Sequence, residues 1–187
     1  MARVLDFISS LLSLLFGDIW KGLLMSLLGV FSTTSKRVKP HVKEAPLTER
    51  QIQLIQDSWT LVENQKQEAG IKLFTRLFKI APYIRDLFPF GYDPASPGLK
   101  THALGVMDTV EVAVRGLDDQ ESLALKLVEL GQFHKRFGLT NQEFEHVGSA
   151  LLWTLETSLG DKFTADTKQA WTDAYTIIQG AMEQGLK

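Results

Sequence analysis

The 187-residue sequence contains no cysteine. Disulfides, zinc–thiolate centres, iron–sulfur clusters, thiol catalysis and S-acylation are therefore excluded, and the residue content marks no oxidising compartment. Long uninterrupted apolar runs are also lacking. In the hydrophobic N-terminal region Asp6, Asp18 and Lys21 leave uncharged stretches of 11 residues (7–17) and 14 residues (22–35), too short for a clean membrane span. That region is longer than the apolar core of a signal peptide and has little basic charge ahead of it. No alternating run is long enough to argue for a sheet, and no repeat occurs at solenoid spacing. Ser-His-Asp and phosphate-loop patterns are missing. Glu143 and His146 form a single Glu-x-x-His, without the second copy that a di-metal four-helix bundle requires.

What is present describes a globular chain with an unusual front end. Hydrophobic residues make up 44% and charged residues 22%, the profile of a packed core with a solvated surface. The net charge of −2 hides an asymmetry: residues 1–46 balance to +3 and residues 47–187 to −5. An acidic main domain with scattered positive charge is a poor nucleic-acid binder, so no nucleic-acid partner is expected. The basic excess at the N-terminus instead suits an anionic membrane surface, with residues 1–43 as the contact.

Three regions separate. Residues 1–31 are dominated by Leu, Phe, Ile, Val, Met and Trp. Residues 32–46 form a basic linker with Lys36, Arg37, Lys39 and Lys43, in which Pro40 and Pro46 resist helix continuation. Residues 47–187 read as consecutive amphipathic helices, an all-α domain. Thr48 and Gln51 fit a capping box, followed by Ile52, Ile55, Trp59 and Val62 at helical spacing. Ile71, Phe74, Leu77 and Phe78 follow on a second helix, and Pro82 suits the first turn of a new short one. Residues 90–98 read as a loop. Later helices align Leu99, His102, Val106, Val110, Ala113 and Leu117; Leu123, Leu127, Leu130, His134 and Phe137; Phe144, Val147, Leu151 and Leu155; and Trp171, Ala174, Ile178 and Ala181.

The four histidines differ in kind. His41 sits in the basic linker and His146 falls between apolar positions, both solvated. His134 lies on the apolar stripe of its helix, where Leu or Ile is the usual occupant, and His102 shares a face with Val106. Each alone reads more often as a satisfied core or boundary residue than as a ligand. Together they suit something more specific. Their helices can run antiparallel, with both imidazoles facing an apolar gap lined by Phe74, Phe88, Val106, Phe137 and Phe144. A flat hydrophobic macrocycle with an axial metal needs such a slot, with neutral imidazole on one or both faces.

From Leu47 onward the chain resembles a globin. The run from Leu73 through Pro82 to Phe88 is similar to the globin B and C helices, with the Pro and the Phe that packs on the haem. Leu99 to Val106 is similar to the E helix, with His102 as distal histidine and Val106 one turn later. Leu130-Gly-Gln-Phe-His134 is similar to the F helix and its proximal histidine, and Trp59 falls where globins place an A-helix Trp. Within the family the likeness is to neuroglobin and globin X, carried by residues 130–139, Val147 to Leu152 and Ala170 to Tyr175. The resemblance implies helices A–H around haem b, with His134 and His102 as iron ligands. It also implies Phe74, Phe88, Val106, Phe137, Phe144 and Val147 around the macrocycle. Gly105 stands where many relatives carry a propionate-binding Lys or Arg, which leaves Lys100 and Arg136 as substitutes. The implied function is reversible binding of a diatomic gas (O2, NO or CO), hexacoordinate at rest, in a sensing or redox role. Redox chemistry on nitrite or nitric oxide, or electron transfer, uses the same iron and stays open, as does a haemless interaction domain.

The N-terminal segment has two readings. Eighteen of the 28 residues from Val4 to Phe31 are large and apolar, too many to leave exposed in a lone monomer. Two short helices broken near Gly17-Asp18 could lie in a membrane interface, with the linker cations attracted to anionic lipid and the globin domain on the cytoplasmic side. Alternatively they join a homo-oligomer. Ala2 stands where myristoylation needs Gly, so membrane contact is expected through apolar side chains.

Overall fold

The computed structural model describes residues 46–88 and 91–187. The expectations for residues 1–31, and for the linker up to residue 45, lie outside the described residues. Within them the chain forms six α-helices and no strand. They are α1 (Glu49–Thr60), α2 (Lys66–Ile80), α3 (Pro97–Arg115), α4 (Gln120–Lys135), α5 (Asn141–Leu159) and α6 (Ala165–Leu186). Single turns of 3-10 helix at Glu63–Gln65 and Gly160–Lys162, and a longer one at Pro82–Leu87, punctuate the connections. No described helix is long and apolar enough to cross a membrane.

Polar side chains set where the helices begin. Thr48 accepts from the Gln51 backbone N–H while the Gln51 side chain accepts from the Thr48 N–H, so the capping box expected for α1 is present. Thr140 and Glu143 make a second one at α5. Ser96, Asp119 and Thr164 cap α3, α4 and α6. Each such cap satisfies an otherwise orphaned amide and contributes about 1 kcal/mol. Pro82 opens the 3-10 turn, as its missing N–H and fixed φ allow. The loop is shorter than the sequence suggests, because Pro97 is already the first residue of α3.

The closely packed pairs are α4 with α6, α2 with α3, α2 with α5, α1 with α6, α5 with α6, and α1 with α3. The core is built from Ile55 and Trp59 of α1, Leu73 and Leu77 of α2, Leu99 and Met107 of α3, Leu155 of α5 and Trp171 of α6. Trp59 and Trp171 meet at 6.2 Å between ring centroids, and the Trp171 indole donates to Ser58. Two crossings bear on the site. At Gly70 an added Cβ would lie 2.6 Å from the Ala103 carbonyl oxygen, so α2 and α3 touch backbone to backbone beside residue 102. At Gly131 it would lie 2.0 Å from the Met182 carbonyl oxygen, and at Gly185 2.1 Å from that of Val128. Paired glycines thus press α4 onto α6 over the turn that precedes His134. The α3–α4 pair is not among the close ones.

Two apolar stripes run along α3 where the sequence pattern suggests one. Leu99, Ala103, Met107 and Val114 are buried, whereas His102, Val106 and Val110 are half-buried. The first stripe packs into the helical core. The second, one position over, is only partly covered by protein side chains.

Candidate functional site

Helix α4 ends at the site. His134 lies in its last turn, and its Nδ1 donates to the Leu130 carbonyl at 2.7 Å. A carbonyl can only accept, so Nδ1 carries the proton and the neutral ring keeps its Nε2 lone pair for a metal. Phe144 of α5 stands edge-on to the imidazole, with centroids 5.9 Å apart and planes at 72°. Phe133 and Phe137 flank the ring on its own chain at 5.7 and 6.5 Å.

The opposite wall comes from α2, the 3-10 turn and α3. His102 sits between Phe74 at 5.2 Å and Phe88 at 5.3 Å, and these two rings meet each other at 5.6 Å. Each is edge-on to the imidazole, so two aromatic rings hold it. Val106 lies one turn further along α3, and Val147 lies on α5 one turn beyond Phe144.

Both imidazoles are kept neutral. Burial, reinforced by the nearby His134, brings the pKa of His102 down from 6.5 to about 4. Burial lowers that of His134 too, although its bond to Leu130 pulls the other way. The influence of one ring on the other means that the two histidines lie within electrostatic reach across the apolar space. Neutral imidazole is the form that ligates metals.

Comparison with known proteins fits this geometry. The globin family model matches residues 71–182. A neuroglobin of Danio rerio is 38% identical over 146 residues, which cover 74% of this chain and 92% of that protein. A neuroglobin of Chaenocephalus aceratus is 36% identical with the same coverage. The chain belongs to the globin family. Among solved structures, a hexacoordinated heme protein from an anhydrobiotic tardigrade, determined at pH 4, superposes with a TM-score of 0.70. The two are 25% identical, and the match covers 75% of this globin and 96% of that chain. In globin terms α1 is the A helix, α2 the B helix and the Pro82 turn the C helix, while α3, α4, α5 and α6 are E, F, G and H.

The residues present fit an iron porphyrin. The donor set is two neutral imidazoles on two helices, within electrostatic reach of one another, one with its tautomer fixed by a backbone carbonyl. The surroundings are Phe and Val, and the α3 stripe that faces them is left half-covered by protein. Among the described residues no group of three or more His, Cys, Asp or Glu forms an alternative metal centre.

The structure brings His102, Phe74 and Phe88 together on one side and His134, Phe144 and Phe137 on the other. Phe137 is 49% exposed and stands beside His134, with ring centroids 6.5 Å apart. Its helix stops at Lys135, the chain turns through Gly138 at φ 70°, and the apolar stripe projected past His134 no longer applies. Lys100 is half-buried in the first turn of α3, and Arg136 stacks over Phe133 at 4.3 Å, so both substitute cations lie near the ends of the histidine helices. His146 is not simply solvated: it is half-buried and stands edge-on to Tyr83 at 6.1 Å. Sequence reasoning missed the Leu130 carbonyl, which any residue supplies, and the bond of Tyr175 to the Phe144 carbonyl.

Proposed function

We propose that this globin holds haem b between α3 and α4, with His134 as proximal ligand and His102 as the second axial ligand at rest. The observation that carries the reading is the pair of neutral, half-buried imidazoles within electrostatic reach of one another, one with Nδ1 committed to Leu130. Phe74, Phe88, Val106, Phe144 and Val147 would surround the macrocycle, Phe137 would cover its edge, and Lys100 and Arg136 would supply cations for its carboxylates. Haem bound there supplies a redox-active iron with reversible affinity for O2, NO or CO.

Within that assignment the chain's own residues set the behaviour. His102 competes with any external ligand, so gas affinity falls by the fraction of molecules in which it has let go. With about one per cent released, the cost is about a hundredfold. Such gating suits sensing or redox work better than bulk oxygen storage. The likeness to neuroglobins and to a hexacoordinated heme protein supports this choice. Residues 1–31 with the basic linker would attach the domain to an anionic membrane surface on the cytoplasmic side, or to a second copy. The test of the iron assignment is the optical spectrum of purified protein, ferric and ferrous, with and without CO. A Soret band with CO-sensitive visible bands is expected, and protein that takes up no haem would refute the reading.

A further inference from the structure

The phenol of Tyr175 on α6 donates to the Phe144 carbonyl at 2.6 Å. Its ring packs against residue 148, where an added Cβ would come 2.2 Å from Cε1 and 2.5 Å from Cδ1 of the tyrosine. Only glycine leaves room for that ring, so Gly148 and Tyr175 form one fitted joint between α5 and α6. Burial raises the phenol's pKa, which keeps it a hydrogen-bond donor. The carbonyl it grips belongs to the residue whose ring stands edge-on to His134 at 5.9 Å.

Besides Phe133 and Phe137, its neighbours along the chain, His134 has two restraints on its plane. The bond to Leu130 fixes Nδ1 to its own helix and leaves the ring free to tilt about that bond. Phe144 blocks the tilt from the neighbouring helix. Phe144 can do so only if the first turns of α5 are held in place, and Tyr175 holds them. We propose that Tyr175 is a positioning residue for the iron ligand: through Phe144 it sets the orientation of the His134 imidazole. As regards the metal this rests on the haem reading, but the restraint on His134 belongs to the polypeptide and can be measured without haem.

The test uses the full chain carrying Tyr175→Phe, which removes the donor and keeps the ring, with Gly148→Ala as a second route to the same joint. In histidine-labelled apoprotein, the NMR cross-peaks of the His134 ring should shift or split in both variants, while those of His41 stay in place. Because a phenyl ring remains in Tyr175→Phe, a ring-current change does not account for such a shift. In haem-loaded protein the ferric EPR g-values should move or resolve into two sets. Tyr175→Phe should add nothing once Phe144→Leu has removed the ring through which it acts. Unmoved His134 cross-peaks in both variants would overturn the proposal. So would a Tyr175→Phe effect that persists undiminished in the Phe144→Leu background. Unmodified protein without haem absorption would instead sink the haem reading, and the apoprotein spectra would still decide on Tyr175.

Discussion

The Nδ1 of His134 donates to the carbonyl of Leu130, one turn back on the same helix, at 2.7 Å. This single bond settles a tautomer that the sequence leaves open, and it aims Nε2 away from α4. The bond satisfies the ring N–H, as it would in a core histidine, and it also leaves the Nε2 lone pair available to a metal.

His134 should accordingly be indispensable for the metal. His134→Gly is expected to fold, since the side chain is only partly buried, but to lose haem on purification. Added imidazole should restore a low-spin spectrum by occupying the space the side chain left. Full haem content with an unchanged spectrum and no imidazole would show that another residue binds the iron.

Acid should destabilise the apoprotein in a defined window. His102 has a folded pKa near 4 against 6.5 for an ordinary histidine, so the unfolded chain binds the extra proton first as pH falls. Stability conferred by the neutral ring is therefore complete above pH 6.5 and is lost as pH drops towards 4. The loss approaches about 1.4 kcal/mol for each pH unit between them. His134 shifts in the same direction and adds to the slope. Denaturant midpoints of apoprotein across pH 7.5 to 4.5 should fall, and His102→Leu should flatten part of that fall. Equal slopes for the two proteins would remove His102 from the account.

The seat of α4 on α6 should tolerate no side chain at residue 131. Gly131→Ala puts a Cβ 2.0 Å from a backbone oxygen that cannot rotate away, so the helices must separate. A loss of about 3 kcal/mol is expected, at the upper end for overpacking. Gly180→Ala on α6 faces open space and serves as the control. It should stabilise by about 0.5 kcal/mol through helix propensity alone. Urea unfolding of the two variants separates the cases, and similar midpoints would contradict the close crossing.

Residues 1–31 should confer either lipid binding or self-association. The full chain and a 47–187 fragment are to be compared by co-sedimentation with phosphatidylserine vesicles and by light scattering. The full chain is expected to bind the vesicles or to form oligomers, while the fragment does neither. Two monomers that both ignore lipid would end that proposal.

Much of the fold is legible in the sequence, because its signals are local. The Thr48–Gln51 box, the proline at 82 and the 3.6-residue stripes each act within a few residues. The two site histidines stand out for a related reason, as polar residues on stripes that should be apolar. What escapes is set by distant partners or by a choice between adjacent stripes. Positions 102, 106 and 110 cannot be told from 103, 107 and 114 on α3 without knowing which set the helical core buries. Phe137 is half-exposed because the helix ends at Lys135, where the stripe that the pattern extends breaks off. Gly131, Gly148 and Tyr175 have meaning only as halves of contacts with residues that lie 27 to 54 positions away.

The central claim, that His102 and His134 share one iron, is tested most directly by the visible spectrum of the ferrous protein without added ligand, beside that of His102→Leu. The unmodified protein should show the sharp paired bands of a low-spin bis-imidazole haem. The variant should show a high-spin spectrum and bind CO faster. A broad high-spin spectrum in the unmodified protein, unchanged by His102→Leu, would contradict the claim.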